Sequence, residues 1–340
     1  MKTLYRRMLS NILVLALMMI SICSIAITTS SPAAAITPET LPNLNTLQSL
    51  IAASVKITLA PQSSSTFPPL STLSFAQTIW PKTYIGPCYV TTPDKHVPLN
   101  PVASCSYGDI SAHRSILLTG DSQAGGWLAA FHSFGVANHW RIIFLAMAKC
   151  APWGSGASGS ALLYNDVTAA NCDAFRVGVQ KAARTLHPTV TALAGLSYYS
   201  SYAVQVSQEL ESATKFSKAN SKVLFLKPVP QYEPWINSPT PVSCLLIYRS
   251  NVSQCLRPPD VLINPTLTHS FNDVASKIKG SVVNTTPLFC TSSACAIYVF
   301  DGSKRRMINS DATHINYYYS AWVSKALGEI LLPLLPNTPR

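Results

Sequence analysis

Ser115-Ile116-Leu117-Leu118-Thr119-Gly120-Asp121-Ser122-Gln123-Ala124-Gly125-Gly126-Trp127 is the stretch on which the reading of this chain turns. Its first five residues form an apolar run closed by a β-branched threonine, the pattern of a short buried strand. Gly120 marks a turn, and from Ala124 to about Ala137 the pattern is helical. A serine at such a turn lies at the carboxyl edge of a parallel sheet, beside the unbonded N–H groups that open a helix. Those amides and the helix dipole stabilise developing negative charge, so Ser122 is a candidate nucleophile. Asp121 reads as a structural residue that bonds turn amides.

Outward from this turn, strands and helices alternate. Strands are expected at 140–145, 189–194 and 222–226, with a further short strand at Ala296–Phe300. Helices are expected near 166–186, 203–219, 267–279 and 317–332. Strands separated by helices of this length imply βαβ units and a parallel sheet covered on both faces. The compact part is expected to begin near Ser115, after a lead-in loop closed by Cys88 and Cys105.

The chain has 340 residues, of which only 11% are charged, and a formal net charge of +11. Lys2, Arg6 and Arg7 precede an apolar run from Met8 to Ile27 and then Ala33-Ala34-Ala35. That is a charged n-region, an h-region and an Ala-x-Ala cleavage site, so residues 1–35 read as an export signal. The run is also long enough to span a bilayer, which makes an uncleaved anchor the alternative. Residues 36–87 are rich in Pro, Ser and Thr and read as a tether and an arm, with one amphipathic piece near Leu47 to Ile57. Residues 88–340 form the main domain. The remaining basic residues are scattered, which suits an anionic cell-envelope surface and argues against nucleic acid.

Beyond Cys23, eight cysteines remain, and an even count in an exported chain implies disulfides. Their spacings fall into four local couples: Cys88–Cys105, Cys150–Cys172, Cys244–Cys255 and Cys290–Cys295. No Cys-x-x-Cys or His-rich spacing calls for a metal, and no cofactor is expected.

A serine hydroxyl needs an adjacent general base. Of seven histidines, His96, His113, His132, His139 and His187 lack a useful acidic neighbour in sequence, and His269 has Asp273 one helical turn on. His314 stands in Ser310-Asp311-Ala312-Thr313-His314, just before the last helix. An aspartate three residues earlier in a tight turn can accept the Nδ1 hydrogen bond and leave Nε2 for the serine.

Gly120-Asp121-Ser122 on the first strand, with Asp311-x-x-His314 before the last helix, resembles the SGNH (GDSL-like) hydrolase superfamily. Within it, the chain is most similar to the extracytoplasmic SGNH domain of acyltransferase-three family membrane acyltransferases. The Pro-rich arm ending in Cys88, Lys149-Cys150-Ala151-Pro152 with Cys172, Lys227-Pro228-Val229-Pro230 and Cys290…Cys295 carry that likeness. The resemblance implies a flavodoxin-like three-layer α/β/α fold with a parallel sheet and a Ser122-His314-Asp311 triad. It also implies an oxyanion hole from the Ser122 amide, a glycine (Gly154 or Gly156) and often an asparagine. That asparagine has no counterpart: the loop after the third of these strands reads Gly195-Leu196-Ser197-Tyr198-Tyr199-Ser200-Ser201, so either Ser197, Ser200 or a backbone amide stands in, or the enzyme is slow or specialised. Gln123 likewise replaces the histidine frequent in this subgroup.

The α/β-hydrolase reading is disfavoured, because there the acid and histidine lie far apart in sequence. The expected activity is ester hydrolysis or O-acyl transfer on an acylated cell-envelope polysaccharide, with a separate membrane acyltransferase as a possible partner. The rival is an inactive SGNH-fold protein that binds glycan or such a partner, and a third reading, a lipase, lacks an evident amphipathic lid.

Overall fold

A computed structural model describes residues 40–59, 87–90, 101–154, 169–196, 201–219, 221–232, 239–248 and 251–337. The expected signal or anchor, the cleavage site and Gly156 lie outside them, as do Ser197, Tyr198, Tyr199 and Ser200. Among the described residues, no helix is long and apolar enough to cross a membrane.

The centre of the molecule is strand β3 (Ser115–Gly120), buried at every position. Its apolar run suits a strand covered on both faces, and it pairs in parallel with β4 (Arg141–Met147) on one side and β5 (Val190–Ala194) on the other. Beyond β5 come β6 (Lys222–Leu226) and β7 (Ser281–Val283), both parallel. The order β4-β3-β5-β6-β7 is the flavodoxin-like arrangement of a doubly wound sheet. Two short strands lie in the stretch expected to be a lead-in loop. β1 (Tyr89–Val90) extends the sheet parallel to β4, and β2 (Ser106–Gly108) pairs antiparallel with β4. The sheet therefore starts before Ser115. The strand expected at Ala296–Phe300 is not part of it: β8 (Tyr298–Phe300) forms a separate antiparallel hairpin with β9 (Arg305–Met307).

Helix α1 (Leu44–Leu59) belongs to the arm. Helix α2 (Ser122–Asn138) joins β3 to β4, and α3 (Ala169–Leu186), α4 (Tyr202–Ser217) and α5 (Pro265–Ile278) connect the strands that follow. The step from β3 to β4 runs one way along the sheet, and the steps from β4 through β7 run the other way. Right-handed crossovers therefore put α2 on one face and α3, α4 and α5 on the opposite face. On the α2 face, the expected last helix is broken at Val323 into α6 (Tyr317–Trp322) and α7 (Ser324–Leu331), both packed on α2. Sandwiched between sheet and C-terminal helices, α2 is buried nearly all round, including Trp127, Phe131 and Phe134. Helix α1 buries Leu47, Ile51 and Val55 against the β8 hairpin and α7.

Disulfides join Cys88 to Cys105, Cys150 to Cys172, Cys244 to Cys255 and Cys290 to Cys295. Each links neighbours in sequence, as the local spacing of the couples suggests.

Candidate active site

Connections leave β3 and β5 toward opposite faces, so a crevice opens between their carboxyl ends, where doubly wound folds place ligands. Gly120 ends β3 there with φ +152°, and a β-carbon on it would stand only 1.7 Å from the Ala194 carbonyl oxygen of β5. Only glycine lets the two backbones pass this closely. Asp121 follows as the N-cap of α2, its Oδ1 accepting from the Gln123 amide at 2.7 Å. Its Oδ2 accepts from the Leu196 amide at 2.8 Å, across the crevice. Asp121 is thus the structural clasp expected of it. Gly195 makes room for the clasp: a β-carbon there would meet Pro152 Cδ at 2.7 Å and Asp121 Oδ2 at 3.3 Å.

Ser122 opens α2 and is partly exposed. As the first helical residue its amide has no carbonyl one turn back to bond, which leaves it directed at the crevice end of the helix.

The expected acid–base pair, Asp311 and His314, is held together by a turn. The Asp311 carboxylate accepts from the amides of Thr313 and His314, both at 2.8 Å through Oδ1. His314 Nδ1–H donates to Oδ2 at 2.8 Å and lies 3.0 Å from Oδ1. Thr313 Oγ1 stands 3.2 Å from the same nitrogen. Burial works to raise the Asp311 carboxyl, but the hydrogen bond and charge of His314 and the two amides outweigh it. The group is held below its ordinary range.

Two contacts tie this turn to the serine. Gln123 Nε2 donates to the Thr313 carbonyl at 2.8 Å, joining the residue after Ser122 to the residue before His314. One turn along α2, a β-carbon on Gly126 would meet Ile315 Cγ2 at 2.8 Å, so glycine allows close packing of the helix on the loop. Electrostatics agree: burial pushes the Asp121 carboxyl up to about 6, against the pull of the Leu196 and Gln123 amides and of His314. From the other side, the Tyr232 amide donates to Ala312 O at 2.7 Å, and Asn309 Nδ2 donates to Pro230 O at 2.9 Å.

Gly154 follows the buried Trp153 in the loop after β4, at φ +103°. That loop is pinned by Arg176 Nε to Ala151 O at 2.9 Å and by Ser212 Oγ to Pro152 O at 2.6 Å. It abuts the Asp121 clasp through Pro152 and Gly195.

The other described histidines take no part. His132 Nδ1 accepts from the Gly108 amide at 3.0 Å. His139 does have an acidic neighbour that sequence spacing hid, with Nδ1–H donating to Asp109 Oδ2 at 2.9 Å. It caps the far end of α2, however, roughly 25 Å along the helix from Ser122. Asp273, one turn from His269, instead accepts from the Tyr202 hydroxyl at 2.7 Å. Gln123 is the residue whose part sequence reasoning missed. Only its place beside Ser122 singled it out, and its partner lies 190 positions away. Among the described residues, no group of His, Cys, Asp or Glu is arranged to hold a metal.

A search of curated proteins finds no match. Among solved structures, the chain is similar to the periplasmic domain of a lipopolysaccharide acetyltransferase from Salmonella ser. Paratyphi A. The TM-score is 0.54 at 15% identity, over 76% of this chain and 99% of that one. It also matches a GDSL-like lipase from Bacteroides thetaiotaomicron VPI-5482, with TM-score 0.34 at 12% identity, over 64% of this chain and 88% of that one. The family described as "SGNH domain (fused to AT3 domains)" matches residues 87–329. With the flavodoxin-like sheet order and the Gly120-Asp121-Ser122 turn at its switch point, the chain belongs to the SGNH domain family.

Proposed function

We propose that the protein is an exported serine esterase or O-acyltransferase acting on acyl esters of a cell-envelope glycan, with Ser122, His314 and Asp311 as its triad. One observation carries the reading. The Asp311 carboxylate grips His314 Nδ1 on a turn that Gln123, the residue following Ser122, holds through the Thr313 carbonyl. In this mechanism Ser122 Oγ attacks the acyl carbonyl while its proton passes to His314 Nε2. The C–O bond to the alcohol breaks, and His314 returns the proton to that leaving oxygen. Asp311 holds the ring orientation and stabilises the imidazolium. The Ser122 amide, with Gly154 or Gly156, binds the tetrahedral oxyanion. Water or a sugar hydroxyl, deprotonated by His314, then takes the acyl group from Ser122, and His314 returns that proton to Ser122 Oγ.

The family's fusion to AT3 domains supports transfer, with a separate membrane acyltransferase as acyl donor. The Salmonella domain's own description supports a glycan substrate. Four disulfides support an oxidising, extracytoplasmic location.

The test is labelling of the purified protein by a fluorophosphonate probe, together with cleavage of short-chain nitrophenyl esters. Labelling lost in Ser122→Ala, and cleavage lost in both Ser122→Ala and His314→Ala, is the expected result. The missing oxyanion asparagine favours the second reading, a glycan-binding protein without turnover. A folded wild type that neither labels nor cleaves would overturn the self-sufficient enzyme and favour a protein that binds glycan or a membrane acyltransferase partner.

A further inference from the structure

Lys227-Pro228-Val229-Pro230 has no part in the triad, yet it begins at the same sheet edge. Lys227 directly follows β6 and Asn284 directly follows β7, so both stand at carboxyl ends. Between them opens a solvent-accessible cleft of about 320 Å³, whose polar lining is Lys227, Asp260, Thr268, His269, Asn284 and Thr286. That volume is in the range of small-ligand sites. β6 is two strands from β3, which puts the cleft roughly 10 Å along the edge from the Ser122 turn.

The backbone of this segment is fixed at both ends. The Lys227 amide donates to Val283 O at 3.2 Å, and Thr285 Oγ1 donates to Lys227 O at 3.0 Å. Five residues on, the Tyr232 amide holds Ala312 O, inside the turn between Asp311 and His314. One short stretch thus runs from the cleft to the acid–base loop.

Lys227 is half-buried, and among the described residues its ammonium has no ion-pair partner, Asp260 included. Burial pulls its pKa down, a cost that an arriving anion would offset. The other lining groups are hydroxyls, an amide, an imidazole and a carboxylate, a set that hydrogen-bonds to polyols.

We propose that this cleft is an anchoring subsite for a saccharide unit bearing a carboxylate or phosphate group, on the chain whose ester is presented to Ser122. The proposal rests on the glycan-ester reading above. Lys227 meets the anionic group, while Thr268, Asn284 and Thr286 bond the sugar hydroxyls.

Equilibrium binding to the full-length Ser122→Ala protein, followed by calorimetry, tests it without turnover. The probes are a uronic-acid oligosaccharide, a sugar phosphate, a neutral oligosaccharide of equal length and inorganic phosphate. One of the two acidic saccharides should bind best, and which one does identifies the anionic group. Lys227→Met should weaken it about tenfold or more, as expected for loss of a charge-assisted bond. Asn284→Ala should weaken it severalfold, and Lys325→Met, on exposed α7 surface, should change nothing. Equal binding of the neutral oligosaccharide, equal binding of inorganic phosphate, or no binding of any probe would overturn the subsite. So would full affinity in Lys227→Met with wild-type thermal unfolding. Should that variant fail to fold, Asn284→Ala decides. Ester cleavage by the wild type is read separately. Cleavage without Lys227-dependent binding removes the subsite alone, whereas such binding without cleavage sustains the subsite and removes the esterase.

Discussion

His314 and the two aspartates near it show how environment divides labour among carboxylates. Asp311 is partly exposed, accepts two amides and grips the imidazole, so it stays ionised. Asp311→Asn keeps the shape but cannot hold His314 in the required tautomer. Nitrophenyl ester turnover should fall by about 10⁴-fold, with the protein still folded by circular dichroism. Asp121 is fully buried, and its carboxyl, raised to about 6, binds a proton more readily in the folded than in the unfolded chain. Its contribution to stability is therefore complete below the ordinary carboxylate pKa and lost as pH rises through about 6. Asp311, held low, contributes oppositely: its share is present at neutral pH and is lost as pH falls below the usual carboxylate range. Urea unfolding at pH 4, 5, 6 and 7 should show a flatter profile for Asp121→Asn than for wild type. The difference between the two profiles should change by up to about 3 kcal/mol over that window. Parallel profiles would show that Asp121 does not titrate there.

At the scale of elements, the site is a meeting of two helix beginnings. α2 starts at Ser122 and α6 starts at Tyr317, capped by Asn316, whose side chain accepts from the amides of Tyr318 and Tyr319. What sets the distance between them is the Gln123–Thr313 bond and the contact of Gly126 with Ile315. In the proposed mechanism Gln123 is a positioning residue. In Gln123→Leu the Thr313 carbonyl loses its donor while side-chain bulk is kept. We expect kcat to fall about tenfold with KM nearly unchanged, and stability to drop by about 1 kcal/mol. A raised KM with unchanged kcat would instead place Gln123 in substrate binding. At Val323 the backbone leaves helical geometry, with ψ 6°, and α6 and α7 on either side of it both pack on α2.

Across the whole molecule, the loops at the carboxyl edge are anchored to the scaffold behind them. Cys150–Cys172 ties the loop after β4 to the start of α3 across a separation of 22 residues, enclosing Gly154. Replacing both cysteines by serine should cost about 3 kcal/mol in urea unfolding, from the freed loop entropy. Ester turnover should fall further than stability alone explains, because Gly154, the proposed oxyanion glycine, rides on this loop. Unchanged turnover in the folded variant would remove Gly154 from the oxyanion hole. α1 lays Leu47, Ile51 and Val55 onto the β8 hairpin and α7, so this helix of the arm is part of the packed body.

What the sequence by itself determined lies within short windows of chain. The run Ser115–Thr119, the glycine after it and the aspartate cap announce β3, its turn and α2, because apolar burial, positive φ and capping act between neighbours. Asp311-x-x-His314 is legible for the same reason, since a three-residue turn brings carboxylate and imidazole together. The cysteine couples are legible because each closes a short loop. Tertiary structure alone decided the rest. β1, β2 and β7 have two or three residues each, too few for a periodic signal, and exist because a neighbouring strand accepts their hydrogen bonds. The hairpin partner of β8 and the Asp109–His139 pair depended likewise on how the chain packs. The Gln123–Thr313 tie joins residues 190 positions apart, and the Lys227 cleft gathers the ends of two strands and the start of α5. Their pairing reflects where whole elements come to rest, which no local preference encodes.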